Sequence, residues 1–442
     1  MSLLDARAAL NSGDIQKAGD LAEEHLRKDP NDPAGLRMLS SVLFEADRPS
    51  TGLAVAEKAA RMDSSPDSYC AIAACYASLE MHREALKWIN KGLNKTPRHP
   101  ALLRMMAHTQ VGLYDFKEAE KHALKSLEIE EHHQAHVALG FCRLHQRRWG
   151  EGWDGIAHGM GKMKWRDMHG YGLPEYSGNG TVLIYGEQGL GDQIAYCSAL
   201  PNETVQVNCH PKLANLMRRS LGVETHGDQF TETVEWRPVA QSQASMTQAM
   251  RFTRRTADDF PKTPYLKPHP EKTKQWAALL KDLPDRPNIG IAWTGGRVGS
   301  SGWKSRNLSI DDIQPILDMP FNFISLEYRE GEVPEGVIDW PWATRTDDLD
   351  DVAALIANLD AIVCVPTTAY HIAGGLGVPA HVIVHETPHF HEGISGACPW
   401  WDSVSFYRRP ELGTQQAVRK VCESLSELTQ GAPLPTTSCS TR

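Results

Sequence analysis

Three glycines and two acids lie in one short turn, Gly186-Glu-Gln-Gly-Leu-Gly-Asp192. The turn follows four apolar, β-favouring residues, 182–185, and precedes an apolar run at helical spacing. We therefore predict a buried strand, a tight turn and the start of a helix. In open α/β sheets, ligands bind beyond the carboxyl ends of the strands, and helix N-termini favour negative charge. Asp192 is thus predicted at the mouth of a cleft, formed by the turn residues Gly186, Glu187, Gln188, Gly189 and Gly191.

Two later segments have compositions suited to phosphate. Lys304 and Arg306 alternate with small polar residues in a glycine-rich loop that follows a predicted strand, 288–293. Such a loop can hold phosphate by charge and backbone N–H groups, although a solvated basic loop has the same composition. Thr367 and Thr368 open a predicted helix, where hydroxyls and free N–H groups form an anion site or simply an ordinary N-cap. Two such candidates in one half of the chain favour a diphosphate ligand.

Other cofactor chemistries do not fit the sequence. Ile194 stands where a dinucleotide fingerprint needs its third glycine, and 208–211 offer no acid for a ribose hydroxyl. No Gly-Lys-Ser/Thr follows the turn, which excludes a P-loop. A histidine-rich run invites a metal site, but a four-residue step along a strand spans roughly 13 Å, too far for one ion. We predict no metal and no resident cofactor; the histidines are His381, His385, His389 and His391.

The first 160 residues are self-similar. Ala85 recurs as Ala119 and Pro66 as Pro100, each 34 residues on, and a 34-residue period with small residues at close-packing positions is typical of tetratricopeptide helix pairs. We predict four to five repeats, the last beginning near His136. The concave face of such a solenoid commonly binds a peptide or another domain. The array could equally be a structural or dimerising arm.

Changes in periodicity set the expected domain boundaries. The repeat array covers 1–160, and a Gly-, Trp- and Pro-rich connector covers 161–179. Two α/β halves follow, a short one at 180–284 and a longer one at 285–430, before a flexible tail at 431–442. Within the first half, residues 225–270 are polar and poorly periodic.

Composition narrows the possible partners and compartment. The 442 residues carry a formal net charge of −9 with no basic stripe, which disfavours nucleic acid. No apolar run approaches the roughly 20 residues of a membrane span, and the N-terminus lacks a secretory pattern. Nine scattered cysteines without Cys-x-x-Cys fit reduced thiols. A cytoplasmic protein is expected.

Several motifs together resemble one family. The chain is similar to bacterial tetratricopeptide-repeat proteins with a C-terminal GT-B-type glycosyltransferase-like region, related in pattern to heptosyltransferases and O-GlcNAc transferases. The resemblance implies an α plus α/β fold, in which a helical solenoid precedes a GT-B-like pair of Rossmann-type halves. The motifs that carry it are Gly150-Glu-Gly-Trp153, Gly186 to Asp192, Ile289 to Trp293, Arg306-Asn-Leu-Ser309, Thr367 to Pro379 and Pro399-Trp400.

The resemblance also implies roles. Asp192 occupies the position of a catalytic base, which would deprotonate an acceptor hydroxyl held on the first half. The second half would bind a nucleotide-diphosphate sugar as co-substrate, and the anomeric configuration would be inverted. Cations and a helix N-terminus would stabilise the leaving diphosphate without a metal. The residues implied for this are Lys304, Arg306, Thr367 and Thr368, with His371 shaping the pocket or serving as a core histidine.

Two positions depart from the family pattern. Relatives usually carry Asp where this chain has Pro366 and Gln where it has Glu327. Together with the short first half, Pro366 favours an alternative hypothesis. In that alternative the α/β region is a degenerate, non-catalytic scaffold and the repeats bind a protein partner. In either case the array could recruit an acceptor, a protein partner or a second copy of the chain.

Overall fold

The computed structural model describes residues 3–159, 171–229, 234–296, 306–386 and 388–429. The chain divides into two compact units, Met1–Met168 and His169–Arg442. Lys304, most of the predicted connector (161–170) and the predicted tail (431–442) lie outside the described residues. Across the described parts of the chain, every helix is too short or too polar to cross a lipid bilayer.

The first unit is a series of helix pairs. Consecutive helices pack on one another and are joined by turns of a few residues, which makes neighbours antiparallel. Residues 3–157 thus form five pairs, at the upper end of the predicted number. The helices are α1 Leu3–Asn11, α2 Ile15–Lys28, α3 Pro33–Glu45, α4 Pro49–Asp63, α5 Pro66–Ser78, α6 His82–Lys95, α7 Pro100–Gly112, α8 Phe116–Leu127, α9 His133–His145 and α10 Trp149–Ala157.

The backbone repeats with the same period as the sequence. One residue in the turn inside each pair has a left-handed conformation, with φ between 58° and 81°. The five residues are Gly13, Asp47, Glu80, Tyr114 and Arg147, and they follow one another at steps of 34, 33, 34 and 33. Four of them are not glycine. Each pair therefore closes through the same turn geometry. The predicted tetratricopeptide-like helical array is confirmed.

Small side chains let the paired helices approach closely, as the sequence predicted. The alanines that define the repeat are almost completely buried, and burial of a small residue where a larger one would not fit is a feature of close helix packing. They are Ala18, Ala22, Ala85, Ala119 and Ala123.

The second unit contains two parallel sheets. The first has the order β3-β2-β1-β4 and the second the order β10-β9-β8-β5-β6-β7. The strands are β1 Val182–Tyr185, β2 Thr204–Asn208, β3 Glu224–His226, β4 Ser242–Ser245, β5 Asn288–Ala292, β6 Asn322–Ser325, β7 Val337–Ile338, β8 Ala361–Cys364, β9 Ala380–Val384 and β10 Val404–Arg408.

Helices connect these strands, as parallel pairing requires. In the first half they are α11 Leu190–Cys197, α12 Ala214–Leu221, α13 Met246–Thr253 and α14 Pro270–Lys281. In the second half they are α15 Ile310–Leu317, α16 Pro341–Thr344, α17 Asp350–Ile356, α18 Thr368–Leu376, α19 Arg409–Leu412 and α20 Thr414–Thr429. The predicted α/β class is confirmed, with β1 and β5 at inner positions of their sheets.

Residues 225–270, which are polar and poorly periodic in sequence, nevertheless contain regular structure. This region contributes β3, β4 and α13 to the first half. β4 reads Ser-Gln-Ala-Ser, and all four residues are buried, so the strand is held by pairing with β1 rather than by apolar side chains. Ser245 then caps α13 through a reciprocal capping box with Gln248. A search for apolar runs cannot detect such a strand.

Candidate functional site

A buried glutamine holds the glycine turn after β1. Gln193 is completely buried, and its amide nitrogen donates to the Gln188 carbonyl and to Gln229 Oε1, both at 2.7 Å. Its amide oxygen accepts from the His210 N–H at 2.9 Å. A Cβ on Gly186 would lie 2.5 Å from that oxygen, so only glycine fits. Gln193 was not predicted from the sequence; its signal is a polar side chain on the inner face of a short helix.

Asp192 lies in the first turn of α11, where the sequence predicted it. Its side chain is 31% exposed, and Oδ1 is 3.0 Å from His391 Nε2. Its second oxygen, Oδ2, has no hydrogen-bond partner in the part of the chain that is described. Burial by itself would raise the pKa of Asp192, but the hydrogen bond and charge of His391 outweigh burial and lower the pKa to about 2. The carboxylate is therefore ionised at neutral pH and keeps one oxygen for a ligand.

His391 is fixed in its orientation by its surroundings. The ring is 2% exposed and stacks on Trp400 with centroids 4.8 Å apart. Nε2 also lies 3.3 Å from the Tyr196 hydroxyl. Nδ1 is buried without a hydrogen-bond partner among the residues described. From the sequence, His391 was a candidate only for metal binding, whereas in the structure it is the ion-pair partner of Asp192.

The segment that carries His391 is anchored from two sides. Arg408, at the end of β10, donates to the carbonyls of Gly393 at 2.8 Å, Glu392 at 2.6 Å and Gly396 at 2.8 Å. The Glu392 carboxylate accepts from the Tyr370 hydroxyl at 2.8 Å. Burial raises the pKa of Glu392. These contacts hold the ring of His391 against α11.

Of the other histidines of this run, His389 stacks on His391 with ring centroids 5.2 Å apart. His381 lies on β9, and its Nδ1 is 2.9 Å from the Tyr407 hydroxyl on β10. Burial lowers the pKa of His381 to about 4. This hydrogen bond joins two strands of the sheet and gives the side chain a structural role.

Two helix N-termini meet at Gly191. A Cβ on this residue would lie 2.7 Å from His371 Cδ2, so the His371 ring rests on the backbone of the α11 turn. Trp401 Nε1 donates to His371 Nδ1 at 3.3 Å. Burial lowers the pKa of His371 well below its usual range, so the ring is neutral. Since Nδ1 is the acceptor, the proton is on Nε2. The first turns of α11 and α18 are thereby brought together.

The two predicted phosphate loops are also neighbours. Thr367 is the N-cap of α18, and its hydroxyl accepts from the Ala369 N–H at 3.3 Å. A Cβ on Gly295, in the loop after β5, would lie 3.0 Å from the Pro366 carbonyl oxygen and 3.3 Å from Thr367 Cγ2. Thr368 is the first residue of α18. The α18 N-terminus and the loop after β5 therefore share one edge of the second sheet.

Arg306 lies against Gly296, in the loop after β5. Its Cδ would lie 3.2 Å from a Cβ on Gly296, which itself has a positive φ of 73°. Arg306 Nε is buried without a hydrogen-bond partner among the described residues. Asn307 Oδ1 accepts from the Gly295 N–H at 2.8 Å and holds the loop. Lys304, the other predicted cation, lies outside the described residues.

A buried acid shapes the other side of this loop. Glu327 Oε1 accepts from the backbone N–H groups of Trp293 and Thr294, each at 2.7 Å, and Oε2 accepts from the Thr294 hydroxyl. Burial raises the pKa of Glu327 against these hydrogen bonds. Glu327 also borders a cavity of about 610 Å³ that opens between the loops after β5 and β6, with Asn307, Asp311, Arg329, Glu332 and Arg345 among its lining.

Comparisons with known proteins give low similarity. The chain is 22% identical over 440 residues to Protein FlbA of Caulobacter vibrioides, an alignment that covers 87% of this chain and 71% of FlbA. Identity at this level does not establish a family. No protein-family model matches the chain.

Solved structures resemble part of the chain. A tetratricopeptide protein of Thermus thermophilus, TTC0263, has 19% identity and a TM-score of 0.34, covering 36% of this chain and 89% of its own. The pilF protein of Pseudomonas aeruginosa has 15% identity and a TM-score of 0.31, covering 36% of this chain and 76% of its own. TM-scores of this size do not establish a shared fold.

Proposed function

We propose that the two α/β halves form an inverting, metal-independent glycosyltransferase that uses a nucleotide-diphosphate sugar. The observation that carries the proposal is the position of Asp192. Its ionised carboxylate, with Oδ2 left for a ligand, is next to the residue where α11 touches α18. A base and a helix N-terminus suited to a diphosphate are thus adjacent.

In the proposed reaction, Asp192 Oδ2 accepts the proton of an acceptor hydroxyl. The acceptor oxygen attacks the anomeric carbon, and the bond from that carbon to the diphosphate oxygen breaks. Arg306, Lys304 and the N–H groups that open α18 at Thr367 and Thr368 would stabilise the charge on the departing diphosphate. Gly191 and His371 would hold the two helix ends at a fixed separation.

The cavity beside Glu327 supports the donor side of this proposal. A volume of about 610 Å³ lies within the range of small-molecule sites. It adjoins the loop after β5, so a nucleoside in the cavity would direct its phosphates towards Arg306 and α18. The repeat array would supply the acceptor, because stacked helix pairs commonly bind peptides or protein segments.

Asp192→Asn tests the base assignment. The substitution removes a proton acceptor and little volume, so we expect turnover of donor sugar to fall by roughly 10²- to 10⁴-fold. Nucleotide affinity should stay within a few fold of the wild type. Release of nucleoside diphosphate measures the first quantity, and calorimetric titration with the nucleotide measures the second. Asp285→Asn, an exposed aspartate on the same unit, is the matched control and should change neither; unchanged turnover in Asp192→Asn would contradict the assignment.

Two observations favour a second candidate, a non-catalytic interaction protein. A carboxylate with a pKa of about 2 is a weak base, and the Thr367 hydroxyl is already used to cap α18. Thermal unfolding with a panel of nucleotides and nucleotide sugars separates the candidates. A ligand at 100 times its Kd adds about 2.7 kcal/mol of stability. Stabilisation by any of them supports the enzyme, and no shift with any supports the interaction protein.

A further inference from the structure

Three metal-ligand side chains meet at one end of the last helix pair. Glu131 precedes α9, His136 lies in its first turn, and His158 is the C-cap of α10. Glu131 Oε1 is 2.5 Å from His136 Nε2, and the rings of His136 and His158 stack with centroids 3.9 Å apart. One ligand atom from each residue lies within 4.8 Å of the other two. Among the described residues, this is the group of three metal-ligand side chains whose ligand atoms lie this close together.

The helix pair beneath these residues is tightly packed. A Cβ on Gly155 would lie 2.7 Å from the Gly140 Cα and 2.8 Å from the His136 carbonyl oxygen, so the backbones of α9 and α10 are in contact. Such contact leaves the two helices little room to slide or separate. The backbone positions that carry His136 and His158 are therefore held at a fixed separation.

We infer that Glu131, His136 and His158 bind one divalent transition-metal ion of the zinc class. Two imidazole nitrogens and one carboxylate oxygen are a ligand set that Zn²⁺ accepts, whereas Mg²⁺ and Ca²⁺ prefer oxygen alone. The ion would take the place of the proton between Glu131 and His136, and the two stacked rings would turn about their side-chain bonds so that each presents a nitrogen to it. Glu131 and His158 are exposed, so the ion can enter from solvent and water can complete its coordination.

The surrounding charge is compatible with a cation. Arg104, the neighbouring guanidinium, donates to Glu130 at 2.7 Å and is neutralised by that pair. The three residues belong to the first unit, whereas the residues proposed for sugar transfer belong to the second. It also differs from the histidine run 381–391, where the sequence had suggested and then excluded a metal.

Calorimetric titration of the metal-free full-length protein with ZnCl₂ tests the inference. We expect one equivalent to bind, and His158→Gln and Glu131→Gln each to weaken binding at least tenfold. His133→Gln, the same change on the same helix outside the three residues, should bind as the wild type does. No binding by the wild type, or equal binding by all variants, would overturn the proposal. Far-UV circular dichroism without metal verifies that each variant is folded.

Free cysteines are the main competing ligands. Cys70 and Cys422 are partly accessible, and thiolates bind zinc readily. Titration with Co²⁺ distinguishes the two kinds of site, because thiolate ligation gives intense charge-transfer absorption in the near ultraviolet. Visible bands without that absorption, lost in His158→Gln, are expected. Thiolate absorption that persists in His158→Gln would assign the metal to cysteine and overturn the proposal.

Discussion

Asp192 and His391 form an ion pair whose members lie 199 residues apart in the chain. The pairing keeps Asp192 ionised, because the folded pKa of about 2 is below the ordinary value of 3.8. A lowered pKa means that the pair stabilises the folded protein above about pH 4, and that this stabilisation is lost as the pH falls towards 2. While the His391 ring is protonated, we expect the pair to be worth about 1–2 kcal/mol after screening by solvent.

His391→Phe isolates this effect. Phenylalanine keeps a ring that can stack on Trp400. It removes the imidazole that donates a hydrogen bond to Asp192 and places a positive charge beside it. Burial then dominates, so the pKa of Asp192 should rise by roughly one to two units or more. The acid limb of the pH profile of kcat/KM should move to higher pH by the same amount. If turnover proves too slow, the pH dependence of the free energy of unfolding, compared with that of Asp192→Asn, reports the same shift.

His389→Phe is the matched control for His391→Phe. His389 is exposed and lies two residues from His391, but it does not form the ion pair with Asp192. The charge of His389 also lowers the pKa of Asp192, but less than His391 does, so its substitution should move the acid limb less than His391→Phe. An equal shift in both variants would show that the general charge of the segment, and not the His391 hydrogen bond, sets the pKa of Asp192.

At the scale of elements, the site depends on two short helices that meet end to end. Val182–Tyr185 and Ala361–Cys364 are apolar strands that could be predicted, and so could the helices that follow them. The contact between α11 and α18 could not be predicted. It depends on the absence of a side chain at Gly191, into whose space the His371 ring packs.

Gly191→Ala tests that contact. The added Cβ would lie 2.7 Å from a buried ring that is hydrogen-bonded to Trp401, so the ring cannot move without breaking that bond. We expect the free energy of unfolding of the α/β unit to fall by about 1–3 kcal/mol. Urea denaturation followed by tryptophan fluorescence measures it.

Gly189→Ala provides the comparison within the same turn. Gly189 has φ −64° and ψ 169°, which alanine adopts without strain. The atom nearest to its added Cβ is Asp192 Oδ2, the end of a partly exposed side chain, at 3.2 Å. This variant should lose less than about 0.5 kcal/mol. Equal losses in the two variants would mean that the turn is sensitive to any substitution and that the His371 contact is not special.

At the scale of the molecule, the two units should respond differently to a nucleotide. Hydrogen-exchange mass spectrometry of the full chain with a bound nucleoside diphosphate should show slower exchange at 190–193, 293–296 and 367–371. Exchange in the helix pairs, 3–157, should be unchanged, because the proposed donor contacts lie in the α/β unit. Slower exchange confined to 3–157 would place the ligand on the repeat array and contradict the donor site.

The repeat array illustrates what local sequence specifies. Its period, its helix pairs and its buried alanines could all be predicted, because each repeat contacts only its neighbours and its pattern is read within about 34 residues. The apolar strands of the α/β halves could be predicted for a similar reason. β4 could not, because its buried polar residues are stabilised by the neighbouring strand.

The features of the candidate site also fall into two groups, those that local sequence predicts and those that depend on residues far apart in the chain. The residue pattern alone predicted that Asp192 opens a helix after a buried strand, and that Thr367 and Thr368 open another. The contact between those two helices, the pairing of His391 with Asp192, and the turns held by Gln193 and Glu327 became visible only in the folded protein. The two groups differ in how far apart along the chain the interacting residues lie. A helix start is specified by its neighbours along the chain, whereas an ion pair between residues 192 and 391 exists only once both sheets have formed.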